Sequence, residues 1–237
     1  MSSQNNTFLY FKKLYKINER FNYNFNYSIK YTKNSIINCS IDLITNSNDN
    51  EYNIYSKLNN FQVSSKIREI LEFIVKSIDR YFQNKDNINH IEFLNIIQAN
   101  KTIFRPISSF YLRCYNFICN SKKSDIFSYK QIAENINSKG YRAIGNAMKN
   151  NKFPILIPCH RVLSLSKNEF KLGGFLGRHS NLKLFNANSS NEFKFEIISK
   201  LVNKINARDK QKLDVISNEL KIKLFLLYFE IQKTEKN

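Results

Sequence analysis

The sequence predicts an α+β fold, in which a small N-terminal antiparallel sheet with a helix precedes a mainly helical C-terminal domain. Aromatic and β-branched residues alternate with polar ones early in the chain, most strictly over residues 21–27, as in half-buried strands. Apolar residues then recur at helical spacing over residues 67–82. Two short helical stretches around residues 129 and 141, joined by a tight turn, predict a helix-turn-helix in the second half.

The first half of the chain divides into four predicted parts. Residues 1–20 are expected to be a loosely ordered polar start, and strands are expected over 21–27, 35–45 and 52–58. The alternative for this region is a solvated low-complexity tract, because asparagine and tyrosine dominate it. Ser64 and Ser65 can cap the helix that runs to Phe82. Residues 84–105 are predicted to be an irregular connection, and Pro106 marks a domain boundary.

The second half is predicted to contain a series of helices and one glycine-rich loop. Helices are expected over residues 109–119, 129–136 and 141–150. The small residues of the third helix allow close approach to either another helix or a nucleic-acid groove, and the pattern favours neither. All five glycines lie between residues 140 and 177, which predicts a loop over 172–177 beside a pocket. Amphipathic helices over 197–205 and 213–231 complete three expected segments, 1–105, 106–186 and 187–237.

The charge and cysteine content narrow the class of protein. The formal net charge of +18 over 237 residues favours a polyanionic partner, with nucleic acid ahead of an anionic membrane surface. The alternative is lysine enrichment through A/T-rich codon usage. No signal peptide or membrane-length apolar run is present, so we expect an intracellular protein with free thiols. The four cysteines form no CxxC pair and combine with no histidine at zinc-finger spacing, which leaves open only a metal site assembled from distant residues.

The candidate nucleophile follows an apolar run between two prolines. Pro154 and Pro158 fix their own φ angles, and residues 155–157 are predicted to be a short, buried, extended segment. Cys159 and His160 can form a nucleophile–base pair only if the backbone turns at Pro158, because neighbours along an extended chain point to opposite faces. The equally weighted alternative is a buried structural cysteine beside a surface histidine.

Four motifs around this cysteine carry a family resemblance. They are the active-site signature Pro158–Val162, the hinge asparagine Asn151, the recognition helix Arg142–Met148, and the start of the helix-turn-helix at Ser128–Ala133. In this order, residues from about 109 to 185 resemble the C-terminal domain of the O6-alkylguanine-DNA alkyltransferases, the methylated-DNA–protein-cysteine methyltransferases. Residues 1–105 are compatible with the variable N-terminal domain of that family.

The resemblance implies a DNA repair reaction that each protein molecule performs once. The family flips an O6-alkylated guanine out of duplex DNA and transfers the alkyl group to its own cysteine, because the O6 group is inaccessible inside the base stack. By position, Cys159 would attack the alkyl carbon and His160 would act as its base through a water molecule. Asn151 would support the turn. Tyr129 would press on the flanking phosphate and donate a proton toward the guanine, and Arg142 would replace the extruded base.

The resemblance also implies the binding residues and the partner. The expected partner is double-stranded DNA containing O6-alkylguanine, bound by a monomer in the nucleus, with no membrane, no cofactor and no metal. The implied DNA contacts are Tyr129, Lys130, Asn137, Arg142, Ala143 and Gly145. The implied alkyl pocket consists of Pro154, Gly173, Gly174 and Phe175.

One departure from the family concerns the acid that orients the histidine. The family has a glutamate about a dozen residues beyond its glycine-rich loop, but residues 185–190 contain no acid here. His160 is therefore expected to lack its partner unless Glu192 reaches it. Two other functions compete with alkyl transfer: a non-catalytic protein that binds the alkylguanine lesion, and an unrelated Cys-His hydrolase.

Overall fold

The computed structural model of the chain describes residues 9–16, 23–45, 63–83, 88–175, 178–206 and 216–231. The N-terminal part contains three strands, β1 (Leu9–Lys16), β2 (Tyr23–Tyr31) and β3 (Ile36–Thr45), and two helices, α1 (Ser65–Gln83) and α2 (His90–Ala99). The remainder contains α3 (Ser109–Cys119), β4 (Phe127–Ser128), α4 (Tyr129–Asn135), α5 (Tyr141–Lys149), β5 (Val162–Ser166), β6 (Glu169–Phe175), β7 (Arg178–Asn186), α6 (Asn191–Asn206) and α7 (Asn218–Ile231). This arrangement confirms the predicted α+β class.

The N-terminal sheet is antiparallel in the order β1-β2-β3. The predicted strands near residues 21–27 and 35–45 are confirmed, whereas the strand expected over 52–58 lies outside the described residues. Helix α1 packs on this sheet, where the Tyr15 hydroxyl donates to Asp79 Oδ1 at 2.6 Å and the Tyr15 ring stacks on Phe82. The stripe predicted from the sequence supplies its buried face, which contains Ile67, Ile70, Leu71, Ile74 and Ile78.

Two predictions for the first half are wrong. Residues 9–16 are not a loose polar start, because they pair with β2 along the whole of β1. Residues 90–99 form helix α2 instead of an irregular connection. Asn89 begins α2 by accepting a hydrogen bond from the Glu92 amide at 3.0 Å, and Phe93 and Leu94 are buried. Adjacent lysines in β1 and scattered asparagines around α2 weaken both periodic patterns, so tertiary pairing and capping decide these elements.

The helices of the second half confirm the sequence prediction closely. Helix α3 begins where Ser108 accepts from the Tyr111 amide. Helix α4 begins with a capping box in which the Ser128 hydroxyl accepts from the Gln131 amide while the Gln131 side chain accepts from the Ser128 amide. A short turn, with Asn137 at φ 51°, connects α4 to α5. Two short helices joined by a tight turn are therefore present.

A second sheet, in the order β4-β5-β6-β7, stands where a glycine-rich loop was expected. Residues 172–175 belong to β6, and 176–177 lie outside the described residues. Gly173 has φ +65°, and a Cβ atom there would lie 3.0 Å from the Ser164 backbone nitrogen. Gly173 therefore lies at a register shift in the β6–β7 pairing, and a residue with a side chain would be strained there.

Helix α7 lies in the interior of the molecule. All but one of the residues from Leu220 to Ile231 are buried, because α7 packs against α6, β3, β6, β7 and the turn at Cys159. A helix that is apolar on all sides requires such a position. The predicted boundaries of the third segment stay a prediction, but its last helix belongs to the core. Within the described ranges, no helix combines the length and apolarity needed to cross a membrane.

Candidate active site

The cysteine lies in a sharp backbone turn. Cys159–Arg161 form one 3₁₀ turn after Pro158, and the Arg161 amide donates to the Pro158 carbonyl at 3.1 Å. The turn required at Pro158 is therefore present. The preceding segment is buried as predicted, but it is not extended. Ile155 has φ 72°, and the Ile157 amide donates to the Phe153 carbonyl at 2.9 Å, so the chain doubles back. A left-handed isoleucine costs on the order of 1–3 kcal/mol, which the surrounding packing must hold.

Asn151 fixes both the turn and the sulfur. Its Nδ2 donates to the Ile157 carbonyl at 2.9 Å and to Cys159 Sγ at 3.0 Å. Its Oδ1 accepts from the Phe153 amide at 2.9 Å. One buried amide therefore satisfies two backbone groups and points a donor at the thiol. This geometry suits the role that the family resemblance implies for Asn151, which is to hold the turn before Cys159.

Lys223 of α7 adds a cation near the thiol. The lysine is fully buried, and its Nζ donates to the Val162 carbonyl at 2.6 Å and the Gly174 carbonyl at 2.9 Å. Burial lowers the pKa of Lys223 to about 7, against a smaller opposing effect of Cys159. Burial raises the pKa of Cys159, while the Asn151 hydrogen bond and the Lys223 charge lower it. The site therefore offsets part of the cost of forming a buried thiolate.

Glu230 of α7 supplies the acid that the segment after the glycines lacks. His160 is fully buried, and its Nε2 lies 2.8 Å from Glu230 Oε1. An ionised carboxylate only accepts hydrogen bonds, so Nε2 carries the ring proton and Nδ1 is left as an acceptor. Among the described residues, His160 Nδ1 has no hydrogen-bond partner. Burial lowers the pKa of His160, so the ring is neutral and can accept a proton.

The prediction for the orienting acid is thereby corrected. Glu192 is exposed in the first turn of α6, and Glu230 is the acid that contacts His160. The partner lies 70 positions from the histidine, so no local motif could indicate it. A signal existed in the composition of α7, where Lys223 and Glu230 interrupt an otherwise apolar run. Charged residues inside a buried helix must be paired.

The Glu230 carboxylate also binds a buried arginine and a tyrosine. Arg161 Nε donates to Oε2 at 2.9 Å, Arg161 Nη2 donates to Oε1 at 3.1 Å, and the Tyr81 hydroxyl lies 3.2 Å from Oε1. Burial alone would raise the pKa of Glu230, but Arg161 and His160 hold it well below its usual value. Arg161 thus has a structural role, because it keeps the orienting carboxylate ionised.

Arg161 also connects this carboxylate to the N-terminal part. Its Nη1 donates to the Ser121 hydroxyl at 2.7 Å, and its Nη2 lies 3.3 Å from His90 Nε2. His90 Nδ1 lies 2.9 Å from the Leu156 carbonyl, so Nδ1 carries the proton and Nε2 accepts from Arg161. Helices α1, α2 and α7 therefore all help to hold the turn at Cys159.

A cavity of about 530 Å³ opens beside Cys159, which is only 3% exposed. It lies between α5 on one side and the β6–β7 hairpin on the other. Many of the predicted site residues line it, together with residues that the sequence did not single out. The lining consists of Tyr129, Tyr141, Arg142, Gly145, Asn146, Met148, Lys149, Cys159, Ser164, Gly173, Gly174, Phe175, Arg178, Ser180 and Asn181.

Six predicted site residues lie outside this lining, and two of them, Asn151 and His160, are buried behind the thiol. Lys130 is exposed and pairs with Glu134 at 3.6 Å, Asn137 is exposed in the turn, and Ala143 is partly buried. Pro154 does not border the predicted alkyl pocket, because it is buried and its carbonyl accepts from the Tyr27 hydroxyl at 3.3 Å. The doubling back of the chain at Ile155 turns this proline toward the N-terminal sheet.

Two cavity residues have properties suited to a ligand. Burial raises the pKa of Tyr129 to about 12, and the nearby Cys159 adds to this effect against a hydrogen bond from the Gly174 backbone. The phenol therefore keeps its proton at neutral pH. At Gly145 an added Cβ would meet nothing within 4 Å. The small size of Gly145 is therefore not required for helix packing, which favours the groove-facing alternative for this position.

The described ranges contain no group of three or more histidine, cysteine and acidic side chains that could hold a metal ion. The features above define a protein with a positioned thiol, a neutral histidine and a bound carboxylate at the base of a cavity beside two short helices. Residues 109–184 match the family model described as the DNA-binding domain of 6-O-methylguanine DNA methyltransferase. The similarity to that family therefore lies in this segment of the chain.

Curated relatives and solved structures give the extent of the similarity. A methylated-DNA–protein-cysteine methyltransferase of Sulfurisphaera tokodaii is 33% identical over 98 residues, which are 41% of this chain and 54% of the relative. One of Metallosphaera sedula is 35% identical over 103 residues, 43% of this chain and 56% of the relative. The chain thus spans about half the length of these relatives. The crystal structure of an O6-methylguanine-DNA methyltransferase from Pyrococcus kodakaraensis aligns with a TM-score of 0.41 at 17% identity, over 80% of this chain and 97% of that one.

Proposed function

We propose that this protein repairs DNA by transferring the alkyl group of O6-alkylguanine to its own Cys159, in a single turnover. The observation that carries the proposal is the position of Cys159 at the base of a cavity that Tyr129 and Arg142 also line. The match of residues 109–184 to that family model and the similarity to methylated-DNA–protein-cysteine methyltransferases support the same reaction.

The proposed chemistry is a displacement at the alkyl carbon. His160 Nδ1 accepts the thiol proton through one water molecule, and Glu230 stabilises the resulting imidazolium. Sulfur then bonds to the alkyl carbon as the carbon–oxygen bond breaks, and the bonding electrons pass to the guanine. Tyr129 donates its proton toward the guanine as negative charge grows there. The products are S-alkylcysteine and guanine, so one molecule completes one reaction and no cofactor is expected.

Base flipping is the proposed route to this thiol. Cys159 is buried, so its target atom must leave the base stack and enter the cavity. Arg142 borders the cavity and is exposed, which suits a planar cation that fills the space left by the base. The open space at Gly145 leaves room for the DNA backbone beside α5. The turn-linked helices α4 and α5 would then act as the helix-turn-helix.

The other expectations about the partner are parts of this proposal. The +18 charge suits double-stranded DNA as the polyanion. Action as a monomer and residence in the nucleus stay predictions, which rest on the DNA substrate and the basic charge. Lys130, Asn137 and Ala143, outside the cavity lining, are proposed to contact the duplex along the outer faces of α4 and α5 and the turn between them.

The test is direct observation of the transferred group. The protein is mixed with duplex DNA that contains O6-methylguanine, and the mass of the peptide containing Cys159 is measured. One added methyl group, absent in the Cys159→Ser variant, is the expected result. Tight lesion binding without a mass change would instead indicate a non-catalytic lesion binder. An unchanged mass without lesion binding would contradict both functions.

The flipping role of Arg142 needs a separate comparison. Arg142→Ala should slow repair of duplex DNA far more than it slows reaction with free O6-benzylguanine, because the free base needs no extrusion. Rates of Cys159 alkylation by the two substrates measure this difference. Equal losses with both substrates would contradict base replacement by Arg142.

A further inference from the structure

We propose that the β6–β7 hairpin is a second DNA-contacting element, in which Arg178 holds a backbone phosphate on the side of the cavity across from α5. This inference rests on the proposed function, because it assumes that duplex DNA covers the cavity. It adds a contact outside the two short helices, and the family motifs of the sequence assign no role to β7.

The first support is the position of β7. Arg178, Ser180 and Asn181 all line the cavity that contains Cys159. Antiparallel pairing with β6 places Arg178 beside Phe175 and Ser180 beside Gly173, so the hairpin itself forms this wall. A duplex whose extruded nucleotide enters the cavity must pass over both walls. Its backbone therefore meets the hairpin as well as α5.

The second support is the charge around the cavity. Arg142 and Lys149 of α5 and Arg178 of β7 contribute three cations to the lining, and no aspartate or glutamate is among the described residues that line it. Arg178 is the cation on the hairpin side, and its side chain is 65% exposed. A guanidinium can bind two phosphate oxygens at once, which suits it to fix the register of a duplex.

The third support is the weakness of the ion pair that Arg178 forms with Glu219 in the free protein. Its Nε lies 3.6 Å from Oε1 of Glu219, which is itself partly exposed in the first turn of α7. Such a long, exposed ion pair is easily exchanged for another anion. A phosphate would therefore compete with Glu219 for the same guanidinium. Removing the Glu219 charge should strengthen DNA binding through Arg178.

The experiment measures the salt dependence of binding, with the Cys159→Ser change in every protein so that no transfer occurs. Affinities for a short unmodified duplex are determined by fluorescence anisotropy between about 50 and 200 mM salt. The plot of log K against log salt has a negative slope. Loss of one phosphate contact in Arg178→Gln should make this slope less steep by about 0.9. The matched control is Arg80→Gln, which removes the same charge at the exposed end of α1, outside the cavity lining.

The Glu219→Gln variant tests the competition in the opposite direction. It should bind more tightly than the parent, and this gain should vanish in the Arg178→Gln/Glu219→Gln double variant. A gain that persists in the double variant would reflect overall charge and would contradict the pairing. Thermal unfolding of each protein, compared with that of Arg80→Gln, shows whether the fold is retained.

The outcomes separate this proposal from the proposed function. A slope for Arg178→Gln equal to that of Arg80→Gln would overturn the hairpin contact, even if the protein with Cys159 accepts a methyl group. A less steep slope for Arg178→Gln, together with no methyl transfer to Cys159 in the parent, would overturn the proposed reaction and retain the hairpin contact. Circular dichroism that matches the parent protein is required before either slope is interpreted.

Discussion

Replacement of Glu230 by glutamine should damage both the stability and the reactivity of this protein. Glu230→Gln keeps the shape of the side chain but removes the charge that pairs with Arg161 at 2.9 Å and accepts from His160 at 2.8 Å. Breaking a buried ion pair by neutralising one partner costs about 3–5 kcal/mol, and the amide's remaining hydrogen-bonding capacity favours the lower end. We therefore expect the free energy of unfolding to fall by about 3 kcal/mol at pH 7.

The rate of methyl transfer to Cys159 should also fall in Glu230→Gln. Without the carboxylate, His160 is no longer held in the tautomer that leaves Nδ1 as an acceptor, and its imidazolium loses its counterion. General base catalysis typically contributes about 10²–10⁴-fold, so we expect a loss of roughly 100-fold in the single-turnover rate. Rapid quenching at saturating O6-methylguanine duplex, followed by mass measurement of the Cys159 peptide, gives this rate, and urea denaturation gives the stability.

The control for this prediction is Glu196→Gln, which removes an exposed carboxylate of α6 that pairs with Lys200 in the next turn. Its stability should stay within about 0.5 kcal/mol of the parent. A folded Glu230→Gln protein that transfers the methyl group within twofold of the parent rate would refute the role of Glu230.

The dependence of stability on acid pH gives a second test of Glu230. Because the folded pKa of Glu230 is depressed, its stabilising effect is present above the ordinary pKa of 4.5 and is lost as the pH falls further. The parent should therefore lose stability more steeply below that pH than the variant.

Three other substitutions test the surroundings of the thiol. Asn151→Ala removes the donor to Cys159, so the pH at which the transfer rate is half-maximal should rise, and an unchanged pH–rate profile would contradict this. Burial lowers the pKa of Lys223 from 10.5 to about 7, so the unfolded chain binds more protons between these values. The free energy of unfolding of the parent, relative to that of Lys223→Met, should therefore rise by about 1.4 kcal/mol per pH unit above pH 7. Urea denaturation at pH 7 and 9 measures this difference, and the same difference at both pH values would contradict the prediction. Gly145→Ala should match or exceed the parent in stability by up to about 1 kcal/mol, because helix propensity improves and no atom clashes, yet it should slow repair of duplex DNA. Thermal unfolding and single-turnover rates test this pair of effects, and a destabilised variant would show that the glycine is needed for packing.

The elements that the sequence predicts well are those whose local patterns agree with their burial. Helix α3 begins and ends at the predicted residues, since Ser108 caps it and its apolar residues face the core. β1 and α2 were missed because their local patterns are weak and pairing with β2 or capping by Asn89 decides them. The buried run before the cysteine was assigned the wrong conformation for the opposite reason. Its residues suit a strand, but Asn151 bonds to its backbone and closes a turn.

The candidate site divides in the same way. Cys159, Asn151, Tyr129, Arg142 and Gly145 lie within the short motifs that carry the family resemblance, so the resemblance could indicate them before the fold was known. Glu230 and Lys223 reach the thiol only through tertiary packing of α7, and no periodic pattern encodes a partner 70 residues away. The buried charges within the apolar run of α7 indicated that partners exist, but not which ones.

The origin of the two activating groups in α7 has a consequence for synthesis. The ribosome completes Cys159, Asn151 and helices α4 and α5 well before it reaches Lys223 and Glu230. Because α7 packs against the turn at Cys159, the buried site is complete only after α7 has left the ribosome. A premature stop before Lys223 would remove a core helix together with both polar groups. We expect such a shortened chain to fail to fold, and not to bind DNA without reacting.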